Sequence, residues 1–141
     1  PAEDGPQLAV GEQADFDRAQ EVLGQGDFRR AAELFATFAE TYPGGPMTAQ
    51  AHLQRGEALS QLGENTQAAR AYLDSFTAAP DGAIAPAALT ALGRSLGRLG
   101  QVEEACLTLE EVGLRYPGDP AVAAAFGATE MKAVTGVGAP S

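Results

Sequence analysis

Apolar residues recur along this chain at helical spacing. Phe16, Ala19, Val22 and Leu23 form one run, and Phe28, Ala31, Ala32, Phe35, Phe38, Ala39 and Tyr42 form a second. Both follow the three- and four-residue intervals that put side chains on one face of an α-helix. Leu53, Gly56 and Leu59 open a second pair of runs, which closes with Ala68, Ala69, Tyr72 and Phe76. Leu89, Leu92, Leu96 and Leu99, followed by Val102, Ala105, Leu109 and Val112, make a third. Gly26 separates the first two runs and can take the positive backbone dihedral that a helix terminus often needs. Pro43, Pro80 and Pro117 end each second helix, because proline cannot continue the hydrogen-bond ladder. PGGP at 43–46, PDGAIAP at 80–86 and PGDP at 117–120 are turn-forming joints, and no alternating strand pattern is present.

The three pairs are copies of one unit. At a shift of 37 residues Pro43, Pro80 and Pro117 coincide, as do Gly26, Gly63 and Gly100, and Ala31, Ala68 and Ala105. Ala19, Gly56 and Gly93 form a column of small residues; Val22, Leu59 and Leu96 form an apolar one; Phe35, Tyr72 and Leu109 form a sixth. Six columns at one offset predict an all-α chain of three helix hairpins, over units 12–45, 46–82 and 83–119. Val122, Ala125, Phe126 and Thr129 continue the pattern, so residues 120–132 are expected to form a capping helix over the last unit. Residues 1–11 and 133–141, rich in Gly, Pro and small residues, read as a linker and a tail.

The order small residue, apolar residue, glycine turn, alanine, aromatic, proline resembles the tetratricopeptide signature, lengthened here by longer joints. Unit three matches it best, through Leu89, Leu92, Gly93, Leu96, Ala105, Leu109 and Pro117. Asp15 and His52 stand where the signature prefers Trp, and Arg18 and Arg55 where it prefers Leu. The resemblance implies hairpins stacked as a right-handed superhelix. A narrower likeness lies in AAELFATFAETYPGGP and in AIAPAALTALGRSLGRLGQVEEACLTLEEVGLRYPGDPAV, which resemble the carboxy-terminal repeat domain of the YbgF (CpoB) family. With the second unit included, this likeness covers about residues 12 to 130. Members of that family carry a signal peptide and a trimerising coiled coil ahead of the repeats, and neither pattern occurs in these residues. The resemblance therefore implies the repeat domain of a trimeric periplasmic protein. It further implies binding to TolA, with a peptidoglycan synthase as a second candidate partner, in coordinating peptidoglycan synthesis with outer-membrane constriction during division. The start at Pro1, with no Met and no leader, reads as a processed or trimmed fragment.

Charge narrows the choice of partner. A net charge of -10 disfavours phosphate-backbone binding, which depends on Lys and Arg, and favours basic protein partners. No run of eighteen apolar residues exists to span a bilayer. With one Cys and one His, neither a disulfide within the chain nor a metal site is expected, and no cofactor is implied. Binding is expected instead on the first helix of each pair, which lines the concave face of such stacks. The candidates outside the packing columns are Gln13, Phe16, Asp17 and Gln20; Gln50, Leu53, Glu57 and Ser60; and Thr90, Arg94 and Arg98. They make a groove mildly acidic over two units and basic over the third, with Phe16 and Leu53 as apolar anchors that could equally be packing residues.

Other conspicuous residues have plainer readings. Cys106 shares a column with Ala32 and Ala69 and is expected to fill a small apolar slot. His52 occupies a packing position. Glu103, Glu104, Glu110 and Glu111 form a solvated face, with Arg115 as the i+4 partner of Glu111. Gly93 reads as a close helix contact, whereas Gly97 has no evident use. Gly24 and Gly26 lack the strand and lysine of a phosphate loop. Three alternatives stay open beside the YbgF-like module: an outer-membrane assembly lipoprotein with the same repeats, a carboxylate-clamping co-chaperone, and an enzyme. The clamp needs Lys and Asn on the first helices, which here carry Glu12, Asp17 and Glu57 and no Lys. An enzyme lacks a nucleophile and base in register.

Overall fold

The computed structural model describes residues 10–119, and all regular structure among them is α-helical. Six helices follow in order: α1 (Val10–Gly24), α2 (Phe28–Thr41), α3 (Thr48–Gln61), α4 (Asn65–Ala78), α5 (Ala85–Arg98) and α6 (Val102–Arg115). They pair into the three predicted hairpins, with α1 starting two residues ahead of the expected boundary at 12. The expected capping helix at 120–132, the tail at 133–141 and most of the linker lie outside the described residues. No described helix is long and apolar enough to cross a membrane.

The turn inside each hairpin is the same object three times. Gly26, Gly63 and Gly100 all have positive φ, between 78° and 84°. In unit two the Gly63 N–H donates to the Ser60 carbonyl at 3.0 Å and the Glu64 N–H to the Leu59 carbonyl at 3.0 Å. This paired closure satisfies carbonyls that the end of α3 would otherwise leave open, and it needs a residue without Cβ at the left-handed position. Between hairpins the prolines act as expected: α2, α4 and α6 each end two residues before Pro43, Pro80 and Pro117.

Extensive contacts run between consecutive helices, as in a stack. Longer links sort the helices into two layers. Arg98 on α5 donates from Nη1 to Ser60 Oγ on α3 at 2.8 Å, joining first helices. The Arg115 guanidinium on α6 lies 5.3 Å over the Phe76 ring on α4, joining second helices. Arg29 on α2 likewise pairs with Glu64, the residue preceding α4.

The core follows the repeat columns. In unit one Phe16 meets Phe35 and Phe38 edge-on, with ring centroids 5.8 Å and 5.4 Å apart. Each such ring contributes about 1.5–3 kcal/mol by burial. In units two and three the large side chain of the column, Tyr72 or Leu109, sits on a glycine. A Cβ on Gly56 would stand 2.5 Å from the Tyr72 ring, and one on Gly93 would stand 2.6 Å from Leu109 Cδ2. Gly93 is therefore the close helix contact that its spacing suggests. Ser75 occupies the column of Phe38 and Val112, and its buried hydroxyl donates to the Ala49 carbonyl at 2.7 Å. Asp15, anomalous in its column, accepts a 2.8 Å hydrogen bond from the Tyr42 hydroxyl.

Cys106 departs from its expected slot. Ala32 and Ala69 are buried on the sides of α2 and α4 that face the next hairpin, whereas Cys106 is exposed. The reason is positional: α6 is the last described helix, so no described helix covers that side.

Candidate functional site

The first helices α1, α3 and α5 form one layer, and the structure divides the expected binding residues on that layer into two groups. Two are core residues. Phe16 is 2% exposed and locked among Phe35 and Phe38, so it anchors the hairpin and is unavailable to a partner. Thr90 is also 2% exposed, and its hydroxyl folds back to donate to the Pro86 carbonyl at 2.8 Å, a local bond that short hydroxyl side chains favour in helices. The expectation for Thr90 is corrected, and of the two readings open for Phe16 the packing one is found. Leu53 is half-buried against the core, which leaves part of it on the surface.

The remaining residues keep access to solvent. Gln13, Asp17 and Gln20 are exposed on α1, where Gln13 Nε2 donates to Asp17 Oδ1 at 2.9 Å. Gln50 and Ser60 on α3, and Arg94 on α5, are half-buried, while Glu57 and Arg98 are exposed.

Four side chains from three helices converge on this layer: Glu57 and Ser60 from α3, Tyr72 from α4 and Arg98 from α5. Arg98 reaches Ser60, and Ser60 in turn hydrogen-bonds Tyr72. Burial pushes the Tyr72 phenol up to about 12, with the Glu57 carboxylate adding to the rise; the Ser60 hydrogen bond and the Arg98 charge oppose it. The Glu57 carboxyl is itself held above the usual carboxylate range by desolvation, although the residue as a whole reaches the surface. Acidic and basic ends of the groove thus meet across the boundary of units two and three. Tyr72 was legible only as a packing residue; the signal was that its column holds Phe35 and Leu109 in the other units, so the hydroxyl there is an addition.

A second, lateral set of grooves lies where one hairpin meets the next. Between α2 and α3 a cavity of 390 Å³ is lined by Ala36, Ala39, Thr48, His52 and Arg55. Burial lowers the His52 pKa, with Arg55 acting the same way and Asp74 opposing, and its buried Nδ1 has no hydrogen-bond partner. A second groove, of 310 Å³, joins Phe76 of α4 and Leu89 and Leu92 of α5 to Leu107, Thr108, Glu111 and Arg115 of α6. Leu89 and Leu92 stand in the columns of His52 and Arg55, so an apolar pair replaces a polar one.

Two family models, both described as tetratricopeptide repeat, match this chain, one over residues 16–83 and the other over residues 87–119. No curated protein matches it.

Proposed function

We propose, from the chain's membership of the tetratricopeptide repeat family, that its first-helix layer holds a segment of a partner protein. The repeats mark a protein–protein interaction module, and the observation that carries the site is the Glu57–Ser60–Tyr72–Arg98 convergence across two hairpins. Acidic Asp17 lies toward one end of the layer and Arg94 and Arg98 toward the other, with Glu57 between them. Such an arrangement gives a charged segment one preferred direction, and electrostatics of this kind act on specificity and approach rate more than on affinity.

The likeness of residues 31–46 and 83–122 to YbgF-type repeats supports a finer reading. In it the module works in the periplasm, binds TolA, and helps to coordinate peptidoglycan synthesis with outer-membrane constriction. Titration with purified TolA fragments at low and moderate salt tests this reading. A complex in the micromolar range, weakened by salt, is expected; no complex at tens of micromolar protein would remove TolA as the partner. Replacing Arg94 and Arg98 together by Glu is expected to slow association with whichever segment binds, and an unchanged on-rate would exclude the layer as the site.

A further inference from the structure

The outward face of α6 carries two leucines that the repeat pattern does not require. Leu107 is 65% exposed and Leu114 is 81% exposed. Their columns hold Glu33 and Arg70, and Glu40 and Thr77, in the first two units, all of them in solvent. A further helix added in the register of the stack would pack over the side of Cys106, as α3 and α5 pack on the sides of Ala32 and Ala69. The outward columns stay bare on α2 and α4 although the next hairpin is in place, so stacking does not account for these leucines.

The two leucines are seven residues apart, two helical turns, and stand about 10.5 Å from each other along the axis. On the helix surface Glu103 and Glu110 run along one side of them, and Glu104 and Glu111 along the other; Glu111 already holds the Arg115 guanidinium at 2.7 Å, so the unneutralised charge is that of Glu103, Glu104 and Glu110. Leu107 also lines the groove that contains Phe76, Leu89 and Leu92. An apolar stripe between two carboxylate rails selects its occupant by charge. A second copy of α6 would bring the same rails face to face, and an anionic lipid surface would be repelled.

We infer that this face docks a basic amphipathic helix of another protein, with apolar side chains seven residues apart seated on Leu107 and Leu114 and Lys or Arg against the glutamates. This surface lies on the second-helix layer, away from the Arg98 cluster, and does not rest on the groove reading above.

The test uses the full 141-residue chain and two synthetic peptides of one composition. In one peptide, leucines recur at helical spacing between lysines; in the other, the same residues are scrambled. Fluorescence anisotropy is expected to detect binding of the ordered peptide and much weaker binding of the scrambled one. The double variant Leu107→Gln/Leu114→Gln, which removes the apolar anchors without adding charge, is expected to lose about tenfold or more in affinity. Its circular dichroism and urea midpoint report whether the fold is intact; both side chains are exposed, so neither should move. Equal affinity for both peptides, or an undiminished affinity of the variant, would overturn the inference. So would a wild-type dimer in sedimentation that the variant converts to monomer, because the occupant would then be a second copy.

Discussion

The Tyr72 ring lies directly on the backbone of Gly56, so close that a Cβ there would sit 2.5 Å from Cε1 and 2.6 Å from Cδ1. Tyr72 is 4% exposed and fixed by its polar contacts, so the ring has nowhere to retreat. Gly56→Ala is therefore expected to destabilise the chain. Overpacking costs about 1–3 kcal/mol, more than the gain of about 0.5–1 kcal/mol that alanine brings to a helix interior. Gly93→Ala should cost less, because the obstructing atoms there are the end of the half-buried Leu109 side chain. Urea denaturation of both variants checks the order; Gly56→Ala at or above wild-type stability would contradict the packing.

Gly97 is the opposite case. It sits in the last turn of α5, exposed, and a Cβ would meet only Ala105 Cβ at an ordinary 3.9 Å. Gly97→Ala should stabilise the chain by about 0.5 kcal/mol, since alanine restricts the unfolded chain without strain in the folded one. A drop in the denaturation midpoint would show that the glycine has a use that the packing does not reveal.

Cys106 offers a readout of the side of α6 that no described helix covers. As an exposed thiol it should react with an aromatic disulfide reagent in the native state, without denaturant, at a rate close to that of the unfolded chain. Cys106→Ser should change stability by less than about 0.5 kcal/mol. A thiol that reacts only after unfolding would mean that this side is covered.

The hairpins were legible because one period fixed them several times over: a small residue, a turn glycine, an alanine and a proline return every 37 residues. The site was less legible, for physical reasons that differ by residue. Helical periodicity gives a side chain's angle on its helix but not the reach of the helix opposite, so it could not tell that Phe35 and Phe38 would enclose Phe16. Thr90 was missed because a hydroxyl can satisfy itself on the carbonyl four residues back, which lets a polar residue sit in the core. The convergence on Tyr72 joins α3, α4 and α5, and no single helix's pattern carries that information.

The reassignment of Phe16 to the core has a measurable consequence. Phe16→Ala should cost about 3–5 kcal/mol by leaving a cavity between two rings, a large share of the 5–15 kcal/mol that typically holds a domain together. Gln20→Ala, exposed on the same helix, should stay within about 0.5 kcal/mol. If partner binding weakens in Phe16→Ala only in proportion to the unfolded fraction, Phe16 acts through folding alone. A binding loss in fully folded Phe16→Ala would return it to the interface.

The raised Tyr72 pKa makes a prediction about alkaline stability. The phenol ionises near 10 in an unfolded chain and at about 12 in the folded one, so between these values the unfolded state has lost a proton that the folded state retains. Stability depends on pH through the difference in bound protons, and here the unfolded state binds fewer. The contribution of Tyr72 is thus fully present below pH 10 and is lost as pH rises toward 12. Tyr72→Phe removes that dependence, so its unfolding free energy should fall less steeply than that of the wild type above pH 10, whatever its stability at neutral pH. Tyr42, also raised by its hydrogen bond to Asp15, is common to both proteins and cancels in the comparison. Urea unfolding at several alkaline pH values, with phenolate absorbance followed in parallel, provides the measurement. Parallel curves for the two proteins would mean that Tyr72 ionises as an ordinary phenol and that its cluster with Glu57, Ser60 and Arg98 does not form in solution.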